Sequence, residues 1–116
     1  MRLETERGSI SISPDVFTNV TGAAATQCYG VKGMAVRSKT DGLVHLLRRE
    51  SMAKGVKVRF HDDQTVSIEL HIIVDNGVNL TAVSRSIMSE VRYHVEKVTG
   101  VKVKSVDVCI DSMVIG

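Results

Sequence analysis

Aromatic side chains are almost missing from this 116-residue chain, which has no tryptophan, two phenylalanines and two tyrosines. Proteins that track single-stranded nucleic acid stack bases on aromatic platforms, so the composition counts against that class. Cysteine is equally sparse. Cys28 and Cys109 stand apart, with neither the C-x-x-C spacing of a zinc or redox site nor the density of a disulfide scaffold. Cys28 reads most simply as a small buried hydrophobe on the first helix. No apolar run approaches the roughly 20 residues that span a bilayer, and the segment Met1–Arg7 is too charged for a secretory leader. A cytoplasmic protein is the expectation, with residues 1–7 a flexible lead-in and 8–116 a single domain. A chain of this size buries roughly two-thirds of its unfolded surface and folds unaided.

Negative charge is scarce in one stretch and positive charge in the next. Lys32, Arg37, Lys39, Arg48, Arg49, Lys54, Lys57 and Arg59 face only Asp41 and Glu50, whereas residues from His61 to Asn79 hold Asp62, Asp63, Glu69 and Asp75 without Lys or Arg. The net charge of +2 conceals this asymmetry. A basic stretch of this kind suits an acidic partner, a phosphate-rich polymer or an anionic membrane surface. Two merely solvated faces explain the asymmetry equally well.

What the chain does have is periodicity. Leu80, Val83, Ile87, Val91, Val95 and Val98 form one stripe, with Arg85, Glu90, Arg92, Glu96 and Lys97 off it, which predicts an amphipathic helix over 80–98. Asn79 or Thr81 caps it and Gly100 ends it. Ser13 caps an earlier helix that begins at Pro14 and runs along Val16, Val20, Ala24 and Cys28 to a stop at Gly30. The small residues of this helix allow close packing.

Val56, Val58 and Phe60 alternate with Lys57, Arg59 and His61, and Val66, Ile68, Leu70, Ile72 and Val74 alternate with Ser67, Glu69 and His71. This is a hairpin with one dry face, and a three-residue loop sets Lys57 opposite Glu69. Ser9–Ile12 and Val31–Val36 read as short strands, and Leu43–Met52 as a short helix. In the last strand the apolar phase changes near Lys104–Ser105, which predicts a bulge. The expected class is α+β in two layers, with helices on one face of a mostly antiparallel sheet in the order β-α-β-α-β-β-α-β.

Motifs of chemistry are few. Gly30-Val31-Lys32-Gly33 has the G-x-x-G pattern of KH domains, but it joins a helix to a strand and reads better as a turn. Ser51-Met52-Ala53-Lys54 matches S-x-x-K without the partner motifs that would give it meaning. His71, Cys109, Asp107 and Asp111 would share the outer sheet face if their strands were neighbours, as a hypothetical zinc set. No metal-ligand spacing supports that set, and a satisfied surface pair is the plainer explanation. Asp62-Asp63 is turn chemistry. No catalytic residue, cofactor or metal ligand can be nominated.

The segments Gly8-Ser9-Ile10-Ser11-Ile12-Ser13-Pro14-Asp15-Val16, Gly30-Val31-Lys32-Gly33-Met34, Lys54-Gly55-Val56-Lys57-Val58, Gly77-Val78-Asn79 and Thr99-Gly100-Val101, with Val106 and Val108, occur in an order that resembles the alkaline-shock-protein family of Gram-positive envelope stress proteins. The resemblance covers Gly8 to Ile110; Val36–Met52 and Ile110–Gly116 depart from its pattern. It implies a cytoplasmic, non-enzymatic adaptor in envelope homeostasis, without cofactor, that meets protein partners near the membrane and self-assembles. On charge alone, Arg37, Lys39, Arg48, Arg49 and Lys54 are the expected partner-binding residues. The alternative is a small RNA-binding module using the G-x-x-G turn and the basic stretch 32–59.

Overall fold

Apolar alternation at period two and period 3.6 decides which faces meet, and the structure follows it closely. The computed structural model describes residues 1–37, 44–46 and 54–114. In chain order they form β1 (Arg2–Thr5), β2 (Gly8–Ser11), α1 (Pro14–Thr26), β3 (Val31–Arg37), β4 (Val44–Leu46), β5 (Val56–Phe60), β6 (Thr65–Val74), α2 (Leu80–Thr99) and β7 (Lys102–Met113).

The centre of the sheet is β6. Its N-terminal half pairs antiparallel with β5 and its C-terminal half with β3, β4 extends β3, and β7 runs parallel along the other edge. The parallel pairing has a simple cause. A strand that returns to the same sheet through a helix re-enters in the same direction, and α2 is that crossover.

Inward residues Val66, Ile68, Leu70, Ile72 and Val74 of β6 are all buried, together with Val103 and Val106 of β7. Both helices cover this face. The predicted stripe of α2 supplies buried Val83, Ile87, Val91 and Val95, and α1 supplies Phe17, Ala24 and Ala25. Phe17 meets Phe60 edge-to-face, with ring centroids 5.3 Å apart, the one close contact between phenyl rings in the core.

The caps work as their residue types require. Ser13 Oγ accepts from the Asp15 N–H ahead of Pro14, Asn79 Oδ1 accepts from the Ala82 N–H, and Gly100 takes the left-handed conformation at φ 73°. Lys57 pairs with Glu69 across the hairpin, and the register shift at Lys104 is the bulge that the phase change demanded.

Four expectations change. Residues 1–7, expected to lead in flexibly, include β1, which pairs with β2 and is closed by Met1–Ile12 hydrogen bonds of 2.7 Å in both directions. Within the segment expected as a helix from Leu43 to Met52, Val44–Leu46 is a strand on β3; the rest of it lies outside the described residues. Helix α1 stops at Thr26 with Gln27 as its cap, so Cys28 lies beyond the helix and Gly30 turns the chain into β3. A Cβ at Gly30 would meet Val83 and Val78 at 3.0 and 3.1 Å, in a backbone conformation of φ +88°. Packing against α2 therefore explains this glycine.

Candidate functional site

The two helices seal one face of the sheet. On the other, charged and polar side chains of β5, β6 and β7 project outward, because each strand offers alternate residues to each side. Lys57, Arg59, Ser67, Glu69, Ser105 and Asp107 line an open depression there of about 460 Å³.

Next to it, the parallel register sets His71 directly beside Cys109, and Glu69 beside Asp107. A second register shift follows. Ile72 pairs with Ile110 and Ile73 with Ser112, which leaves Asp111 as the extra residue of a bulge. Bulges re-aim side chains. Here the Asp111 carboxylate accepts from His71 Nδ1 at 3.0 Å (Oδ2) and 3.2 Å (Oδ1), while His71 Nε2 lies 3.0 Å from Glu69 Oε2. The imidazole is thus held at both nitrogens. Partial burial of His71 favours the neutral ring, but Glu69 and Asp111 outweigh it and raise the pKa above its ordinary value. Burial, then the charges of Glu69, Asp111 and Asp107, push the Cys109 thiol up as well.

One ligand atom from each of Glu69, His71 and Cys109 lies within 4.8 Å of the others. Of the hypothetical zinc set, therefore, His71 and Cys109 meet and Asp111 stands behind the ring. Asp107 is exposed and lies outside the trio. Glu69, absent from the expected set, takes its place. The signal that could have found it is the two-residue spacing to His71 on one strand, which puts both on one face.

The expected partner-binding residues are placed less completely. Lys54 is exposed just before β5, and the backbone of Arg37 ends β3. Lys39, Arg48 and Arg49 lie outside the described residues. Lys32, Lys57 and Arg59, in the same stretch, are exposed. Gly33 is buried in β3 beside Leu46, so the G-x-x-G segment is a turn and strand. It does not join two helices in the manner of a nucleic-acid clamp. Among the described residues, no helix is long and apolar enough to cross a membrane.

A two-layer α+β domain with a filled core and an open charged sheet face is the frame in which the comparisons with known proteins fall. The chain belongs to the alkaline-shock-protein family, whose description is a cell envelope-related function and whose family model matches residues 2–115. Family membership supports a stress-response role, and members of the family are not known enzymes. It is 36% identical over 114 residues to the uncharacterized protein YloU of Bacillus subtilis (97% of this chain, 94% of YloU). It is 33% identical over 114 residues to the uncharacterized protein Spy1614 of Streptococcus pyogenes serotype M6, covering 97% of this chain and 93% of that one. Among solved structures it shares its fold with the MamM CTD, at TM-score 0.51 and 17% identity over 86% of this chain and 99% of that one. A single-residue variant of that domain in its manganese form matches with TM-score 0.51 at 18% identity, over 86% of this chain and 99% of that one.

Proposed function

We propose that this protein is an adaptor or scaffold of the cell-envelope stress response, working through protein–protein contacts near the membrane. Family membership supplies the process. The observation that carries the contact role is the outer sheet face, left uncovered by either helix and lined by Lys57, Arg59, Glu69 and Asp107. The buried apolar side chains cluster in the seam between sheet and helices, so the contact role falls to the exterior. Residues 8–116 act as the functional unit, and the peripheral membrane location arises through a partner.

The contacting surface is the basic stretch, with Arg37, Lys39, Arg48, Arg49 and Lys54 meeting an acidic partner. Charge complementarity at such a surface governs association more than stability. Replacing Arg48 and Arg49 together with Glu is expected to reduce recovery of the protein in the membrane fraction several-fold while its circular dichroism spectrum stays unchanged. Undiminished recovery of a folded double variant would remove the basic stretch as the docking surface.

A further inference from the structure

We propose that Glu69, His71 and Cys109 form a binding site for a transition-metal ion of the Zn²⁺ type, with Asp111 as the residue that orients the histidine. The three side chains carry the oxygen, nitrogen and sulfur donors that Zn²⁺ accepts, and a fourth position on the open sheet face is left for water. Their ligand atoms lie within 4.8 Å of one another. Donors around a tetrahedral Zn²⁺ stand about 3.3–3.7 Å apart, so a side-chain adjustment of about 1 Å completes the set.

Four features lift the trio above a chance surface cluster. The ligands come from adjacent positions of two paired strands, a rigid platform instead of a loop. Both His71 nitrogens have assigned partners, Asp111 at Nδ1 and Glu69 at Nε2. A carboxylate behind the distal nitrogen of a histidine ligand is the usual device for fixing its tautomer and ring plane. Finally, Asp111 reaches that nitrogen only because of the second bulge in β7. The side chain is 13% exposed, against 41% for Glu69 on the open side, which gives Asp111 an inner, supporting place and Glu69 an outer, ligating one.

His71 Nε2, 3.0 Å from Glu69 Oε2, faces the position where the ion would sit. Binding takes the imidazole with Nε2 deprotonated and releases the thiol proton of Cys109, so the ion gains neutral imidazole nitrogen, thiolate sulfur and carboxylate oxygen. Lys57 Nζ, at 3.9 Å from Glu69 Oε2, is the competing cation. It is highly exposed and holds the carboxylate weakly.

The test is titration of the purified, chelator-treated protein with Co²⁺, read by absorption, and with Zn²⁺, read by calorimetry. One equivalent of Co²⁺ is expected to produce a thiolate-to-cobalt charge-transfer band, and Zn²⁺ to displace it. Cys109→Ser abolishes the band and Cys28→Ser leaves it. Asp111→Asn retains the band but weakens Zn²⁺ binding about 10- to 100-fold. Glu69→Gln and His71→Gln also weaken it, and circular dichroism verifies that each variant folds. The proposal is overturned by the absence of a band in the wild type. It is equally overturned by a band that survives in folded Cys109→Ser or disappears in Cys28→Ser, or by Zn²⁺ binding that neither His71→Gln nor Glu69→Gln alters.

Discussion

His71 stands between two carboxylates, and its raised pKa ties local charge to stability. A histidine whose folded pKa exceeds its unfolded value contributes stability that is complete below the unfolded value, about 6.5, and is lost as pH rises through the folded one. With chelator present, the difference in unfolding free energy between wild type and His71→Gln is therefore expected to be largest near about pH 6 and to shrink toward about pH 9. Urea melts across that range give the measurement, and a gap that widens with pH would contradict the ion-pair account. Cys109 shifts in the same direction for a different reason, since burial and its acidic neighbours disfavour the thiolate.

Among the elements, the β5–β6 hairpin shows most plainly how local chemistry sets register. Asp63 Oδ1 accepts from the Thr65 hydroxyl at 2.6 Å and the Thr65 N–H at 3.2 Å, and Gln64 takes a left-handed φ of 66°. Glutamine carries a Cβ that this conformation disfavours, so Gln64→Gly is expected to stabilise the protein by about 0.5–1 kcal/mol. A lower urea midpoint for that variant would show that the glycine's unfolded-state entropy outweighs the relief of strain.

The elements also show which signals were legible. Helix α2, the Lys57–Glu69 pairing and the Lys104 bulge follow from periodicity and residue type alone, because each repeats a pattern over many residues or breaks one sharply. Strand β1 was not legible: Arg2–Thr5 is mostly polar, and its structure depends on pairing with β2. Leu43–Leu47 holds an apolar cluster too short to separate helix from strand by period, and β3 decides it in favour of a strand at Val44–Leu46. The outer site was half legible. His71, Cys109 and Asp111 could be suspected from strand phase, but the choice of Glu69 over Asp107 depended on the neighbour of β6 and on an unsignalled bulge at Asp111.

Across the whole molecule, β6 concentrates stability. It carries partners on both edges and five inward side chains that are essentially buried, while its outward side chains build the candidate site. Hydrogen exchange is expected to be slowest at the β6 amides, with β1 and β2, which form a separate two-stranded sheet, exchanging far sooner. Comparable protection in the two sheets would mean that the N-terminal hairpin unfolds only with the core. A chain whose rigid centre bears its polar constellation on the outward side holds those groups in fixed geometry while the rest of its surface remains free to meet partners.

The crossover through α2 has a further consequence for biosynthesis. Strand β6 leaves the ribosome before β7, so one flank of the most hydrophobic strand keeps unpaired peptide groups until α2 and then β7 have followed it out. Nascent chains of this protein are exposed to mispairing during that interval, and the lysines at 102 and 104 reach the growing sheet as charged gatekeepers at the moment the gap closes.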